Sequence, residues 1–171
     1  MPNPKPVVIV VAGEAVPLKA PQFRNIKTRD GRQFTSAYQP SHVKKYQTHI
    51  RMQAEAAMHD RDPMTGPLVL AATFVMPMPK SFSKRRVGQA LIGAERPITR
   101  PDCSNLLKAL EDAMTGIVYR DDAQLVEVHV RKVFGSKPQM QAEIKPLGDN
   151  VPLLVFPLMT TASLFPNLDS K

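Results

Sequence analysis

The sequence predicts an α/β (α+β) chain, and three observations predict it. Four apolar runs read as strands: Val7 to Ala12, Leu68 to Met76, Leu125 to Phe134 and Met140 to Ile144. Two stretches, Ser41 to about Met58 and Cys103 to Thr115, repeat apolar residues at helical spacing. With 171 residues and 43% apolar composition, the chain has the length of one domain and enough apolar side chains for one core.

Taken in order, Val7-Val8-Ile9-Val10-Val11-Ala12 is β-rich and ends at Gly13. It falls far short of the ~20 apolar residues a membrane helix needs, so a buried strand is expected and no membrane association. Pro17 to Phe34 is basic and polar, with a turn signal at Asp30-Gly31. Ser41 is a candidate cap for the first helix, whose stripe is Val43, Tyr46, Ile50 and Ala57. His59 to Pro67 reads as a loop, and Leu68 to Met76 is the clearest strand. Pro77 to Arg100 shows no period and reads as a basic loop. The second helix carries Leu106, Leu107, Leu110 and Met114 on one stripe, with Ser104, Lys108, Glu111, Asp112 and Thr115 on the opposite face, and Gly116 stops it. Met140 to Ile144 is expected to pair antiparallel with Leu125 to Phe134 across Gly135-Ser136-Lys137-Pro138. Residues 1–146 are then the folded domain, and 147–171, rich in Pro, Leu and Ser/Thr, a flexible tail.

The charge is unevenly spread. Formal net charge is +8, yet five of the fifteen acids lie between Arg100 and Gln124: Asp102, Glu111, Asp112, Asp121 and Asp122. Basic surface attracts a polyanion. Clustered carboxylates offer oxygen ligands to a hard divalent cation. Together they point to a metal-dependent enzyme acting on nucleic-acid phosphates. Taken alone, several of these residues have a plainer reading: Asp102 as a helix N-cap, Asp121-Asp122 as a turn and Lys108 as a solvated helix position. Lys80, Lys84, Arg85, Arg86, Arg96 and Arg100, set against the single acid Glu95, are the expected DNA-contacting segment. Lys19, Arg24, Lys27, Arg29 and Arg32 form a second basic track. A merely solvated loop is the alternative for both.

The spacing Pro101-Asp102-Cys103-Ser104-Asn105-Leu106-Leu107-Lys108, then Asp112-Ala113-Met114-Thr115-Gly116, then Asp121-Asp122-Ala123-Gln124 resembles the RusA-type Holliday junction resolvases, or crossover junction endodeoxyribonucleases. The likeness is close from Arg100 to Phe134 and looser back to Pro67 and to the basic stretch up to Tyr38. It implies a small homodimer with a mixed β-sheet flanked by helices. It further implies Mg²⁺ dependence, with Mn²⁺ as a substitute, and paired symmetric nicking of four-way DNA in recombination and repair. By resemblance Asp102 and Asp122 are catalytic carboxylates and metal ligands, and Lys108 is the functional lysine. Asp112 and Asp121 match further acidic positions, and Asn105 the asparagine beside the metal. Such proteins are common in phages and prophages, so the bacterial or phage-infected cytoplasm is expected.

One position departs: the family's second carboxylate is Ser104, a neutral ligand. Glu111, two turns on and on the same face, is the candidate replacement, although it would have to reach back about 10 Å along the axis. A junction-binding protein with an impaired site is therefore the alternative reading, and a basic phage structural component a third. Other chemistry is not signalled. The four histidines lack metal-ligand spacing, and one cysteine, Cys103, makes neither a disulfide nor a structural zinc set. Absence of Trp and few aromatics argue against broad base-stacking platforms. Thr161-Ala162-Ser163-Leu164-Phe165 resembles a sliding-clamp-binding peptide over three residues.

Overall fold

The strand Leu68–Pro77 is buried along nearly its whole length, which only the middle of a sheet covered on both faces allows. The structure, a computed structural model, describes residues 5–18, 20 and 22–148. In chain order its elements are β1 (Val7–Ala12), β2 (Gln22–Lys27), β3 (Gln33–Tyr38), α1 (Ser41–Met58), β4 (Leu68–Pro77), α2 (Lys84–Leu91), α3 (Cys103–Met114), a short 3₁₀ turn (Asp122–Gln124), β5 (Leu125–Gly135) and β6 (Gln139–Pro146). The main sheet runs β1-β6-β4-β5. β4 is parallel to β5 and antiparallel to β6, and β6 is antiparallel to β1. It is the mixed sheet that the sequence resemblance implies, within an α+β chain.

The expected hairpin between the last two strands does not form. β5 and β6 are consecutive, but β4 lies between them. The physical reason is hydrophobic. β4 carries Leu68, Leu70, Ala72, Phe74 and Met76 on one face and Val69 and Val75 on the other, all buried. It therefore needs a neighbour along each edge. β5, with Val126 and Val128 exposed, tolerates the rim, so the Gly135 to Pro138 connection steps across the end of β4.

Helices α1 and α3 pack on one face of this sheet and on each other. α1 buries Val43, Tyr46, Ile50, Ala54 and Met58. The expected Ala57 is only half-buried, because Ala54 and Met58 continue the i, i+4 row. α1 starts from Pro40 rather than from a Ser41 cap. Its last carbonyls are met by Arg61, whose Nε donates to Met58 O at 2.9 Å and Nη2 to Ala57 O at 2.9 Å, a favourable place for a cation. α3 buries Leu106, Ala109, Leu110, Ala113 and Met114, and leaves Leu107 partly exposed.

Two elements were not expected. β2 and β3 form a separate ribbon around the Asp30-Gly31 turn, and α2 lies inside the basic segment, capped by the Ser83 hydroxyl accepting from Arg86 N. Among the described residues no helix is long and apolar enough to cross a membrane.

Leu110 is fully buried where α3 meets the core. Leu110→Ala is expected to cost about 2–5 kcal/mol in urea unfolding. A loss under about 1 kcal/mol, the size of a surface change, would deny that α3 is anchored there.

Candidate active site

Helix α3 carries Glu111 and Asp112 and starts just after Asp102, and side chains fix the backbone at both of its ends. Before it, Lys132 on β5 donates through Nζ to the carbonyls of Thr99 at 2.8 Å and Pro101 at 2.6 Å. After it, Thr115 Oγ1 and the buried Tyr119 hydroxyl both donate to the Glu111 carbonyl, at 3.0 and 3.2 Å. Arg51 of α1 donates to the Asp112 carbonyl at 3.3 Å. The backbone from Thr99 to Tyr119 is thus held by Lys132 of β5 and Arg51 of α1, and by its own Thr115 and Tyr119.

Asp102 occupies the N-cap position, but its side chain accepts no backbone N–H. Instead Oδ1 accepts from Asn105 Nδ2 at 2.7 Å. The capping role expected of an isolated Asp is therefore not the one it performs. Asp102, Ser104, Asn105 and Lys108 are all exposed on α3. Lys108 Nζ lies 3.7 Å from Asp112 Oδ1 one turn on.

Asp121 and Asp122 divide their work. Asp121 Oδ1 accepts from Ala123 N at 2.9 Å and caps the 3₁₀ turn. Gln124 completes that cap: its Oε1 accepts from Arg120 N at 2.9 Å and Asp121 N at 3.2 Å, while Nε2 donates to Met64 O at 3.0 Å and Gly66 O at 3.1 Å. One carboxamide so ties the acidic turn to the loop before β4. Asp122, exposed, faces Glu111. Burial pushes the Glu111 carboxyl above its ordinary range, the Asp122 charge pushes it further, and Lys108 acts against them while Asp112 adds to them. Burial likewise raises the Tyr119 phenol, with Glu111 and then Asp122 next in effect.

The acids therefore gather as Glu111, Asp112 and Asp122 around Lys108, while Asp102 with Asn105 stands about 15 Å along the helix axis from Asp112 by the α-helical rise. Among the described residues no three metal-ligating side chains form a ready-made cage. The donor chemistry still suits a hard cation such as Mg²⁺, which takes one or two carboxylates and completes its shell with water and substrate phosphate. Glu111 and Asp122 are two carboxylates close enough for the charge of one to raise the pKa of the other.

The basic residues separate as well. Lys80, Lys84, Arg85, Arg96 and Arg100 are exposed. Arg86 is engaged, bonded to Glu95 and stacked 4.0 Å over the Phe82 ring. That pairing raises the Arg86 pKa and lowers that of Glu95. Arg131, unremarked in the sequence, donates to Thr73 Oγ1 at 2.9 Å; burial and then neighbouring Arg96 lower its pKa. Arg24 lies 5.5 Å from the centre of the Tyr38 ring. Lys19 and the tail peptide from Thr161 to Phe165 lie outside the described residues.

The sequence pattern of the family described as Endodeoxyribonuclease RusA matches residues 13–145. "Uncharacterized protein YqaN" of Bacillus subtilis (strain 168) is similar, 36% identical over 84 residues, which is 48% of this chain and 59% of that protein. The chain thus matches under two thirds of the length of that curated relative.

A carboxylate with a raised native pKa is fully tolerated below its ordinary pKa and costs stability as pH rises through the raised value. Glu111→Gln should then unfold at a higher temperature than the parent in metal-free buffer at about pH 8, with the difference vanishing near about pH 4. An offset independent of pH would remove the electrostatic explanation. Gln124→Leu, similar in size, should lower stability by roughly 1–3 kcal/mol and speed hydrogen exchange at the Arg120 and Asp121 amides; unchanged exchange there would show that the clamp is not holding the turn.

Proposed function

The chain belongs to the RusA endodeoxyribonuclease family, and on that premise we propose that it is a divalent-metal-dependent, structure-selective DNA endonuclease. Its substrate is four-way DNA, resolved by paired symmetric nicks, and it works as a homodimer. Two sites related by a two-fold axis suit a substrate that must be cut on two strands. The observation that carries the reading is the Lys108–Asp112 pair at 3.7 Å next to Glu111, whose pKa is raised by burial and by the Asp122 charge, in a chain of net charge +8.

In this reading Asp122 and Glu111 are the carboxylate pair, with Asp112 next to them. When bound, a divalent ion there supplies an acidified water and polarises a phosphoryl oxygen. Lys108 brings a point charge to the phosphate as negative charge builds on it. Asp102 is the carboxylate at the helix start, oriented by Asn105. Asp121 acts through the cap that aims Asp122 and is a positioning residue. Lys84, Arg85, Arg96 and Arg100 neutralise DNA phosphates; Arg86, already paired with Glu95, contributes packing.

Ser104 supports a second reading, a junction-binding protein with impaired cleavage, since it offers a hydroxyl where a carboxylate is expected. That the Asp122 charge raises the Glu111 pKa supports pairing these two carboxylates, a reading in which Glu111 need not reach about 10 Å toward Ser104.

A labelled mobile four-way junction and a matched linear duplex, each with Mg²⁺, Mn²⁺ or EDTA, test both. Paired nicks on the junction alone, requiring metal, are expected. Asp122→Asn and Asp102→Asn should each lower cleavage by about 100-fold or more, as loss of a preorganised charged group does, and leave junction binding intact. Tight junction binding without nicks in any metal, reversed by Ser104→Asp, would establish the impaired protein instead.

A further inference from the structure

The β2–β3 ribbon does not belong to the main sheet. Its strands pair only with each other, and ten of their twelve residues are exposed, all but Ile26 and Ser36. A lone two-stranded hairpin is marginal in water. This one is held by local polar contacts: Thr35 Oγ1 to Asn25 Oδ1 at 2.9 Å, Tyr38 hydroxyl to Gln22 Oε1 at 2.8 Å, and Arg24 against the Tyr38 ring. Yet Phe23 and Phe34 remain 70% and 50% exposed. Nothing in the ribbon's own stability explains two phenyl rings in water.

Its charge indicates the occupant. Arg24, Lys27, Arg29 and Arg32 stand against one acid, Asp30, which is already bonded to Thr28 and paired with Arg32 at 3.3 Å. A polyanion is the complementary partner. Phosphate contact alone would not need the rings. In an intact duplex every base is stacked on both sides, whereas the branch of a four-way junction exposes base faces on which an aromatic side chain stacks or wedges.

We propose that the β2–β3 ribbon is the branch-recognising arm of this protein: its basic turn rests on phosphates, and Phe23 and Phe34, which the register sets on opposite faces of the ribbon, stack on bases exposed on either side of it at the crossover. The inference rests on the reading of the substrate as branched DNA. It adds the residues that would distinguish a branch from a duplex, separate from those that cut.

The full-length protein and two double variants, Phe23→Thr with Phe34→Thr and Arg29→Gln with Arg32→Gln, would be titrated in EDTA. The probes are a four-way junction carrying 2-aminopurine at its branch and a matched duplex. The phenylalanine variant should lose about tenfold or more in junction affinity, keep its duplex affinity, and abolish the 2-aminopurine change. The arginine variant should lose affinity for both DNAs alike, with a shallower salt dependence. Phe34→Tyr, which keeps a ring, should retain junction preference. With the parent preferring the junction, a phenylalanine variant that keeps that preference, or loses both DNAs equally, would overturn the arm while leaving the proposed function standing. A parent that binds neither DNA would overturn both. Unfolding curves coincident with the parent's establish that a loss is not misfolding.

Discussion

Everything about this fold depends on covering β4. It is apolar on both faces, so it has to be central. Being central, it needs strands along both edges, and the chain supplies them from its last third. β5 enters parallel to β4, and a parallel pair cannot be joined by a tight turn. The crossover carries α2, α3 and the acidic turn. The position of the candidate site follows. α3 must lie across the sheet to reach β5, and the residues joining them, Gly116 to Gln124, must return to the level of the start of β4, where Gln124 meets Met64 and Gly66.

The polar face of α3 is built against its own electrostatics. Three carboxylates gather near its end, with one lysine among them. A helix C-terminus favours cations, so these acids gain nothing from the backbone and repel one another. Proteins keep such arrangements where a task demands them. The support is correspondingly thorough: Tyr119, Thr115 and Arg51 each bond a backbone carbonyl of the last turns of α3, and Lys132 fixes the approach to its first. These contacts involve backbone oxygens, so the carboxylates themselves are left available.

Legibility in the sequence followed the strength of the period. Helices α1 and α3 and strands β1, β4 and β5 stand out because apolar residues recur every 3.6 or 2 positions, or run unbroken. The β2–β3 ribbon does not, because its exposed faces have no apolar alternation to display; only Asp30-Gly31 marked it. α2 is hidden by Lys84, Arg85 and Arg86, which look like loop residues unless the Ser83 cap is weighed. Adjacency in sequence favours a β5–β6 hairpin, whereas β4, buried on both faces, pairs along both edges and separates them. In the site, residue identity was visible and neighbourhood was not. Nothing in the spacing says that Asp121 caps a turn while Asp122 faces Glu111, or that Arg86 is paired with Glu95. Lys132 and Arg131 read as ordinary strand cations, since their partners, Thr99, Pro101 and Thr73, are far away in sequence.

The order of the strands also bears on synthesis. Among the described strands β1 is made first, yet its partner β6 begins at Gln139, opposite Ala12. Until β6 has emerged, β1 has no neighbour and β4 has a bare edge. The sheet is therefore assembled after nearly all of the described chain exists, as one late event governed by contacts between distant residues. A nascent chain stopped before β6 leaves β1 without a partner and one edge of β4 bare. Such a fragment presents unpaired strand edges that the complete sheet covers, so it is not a smaller version of the domain.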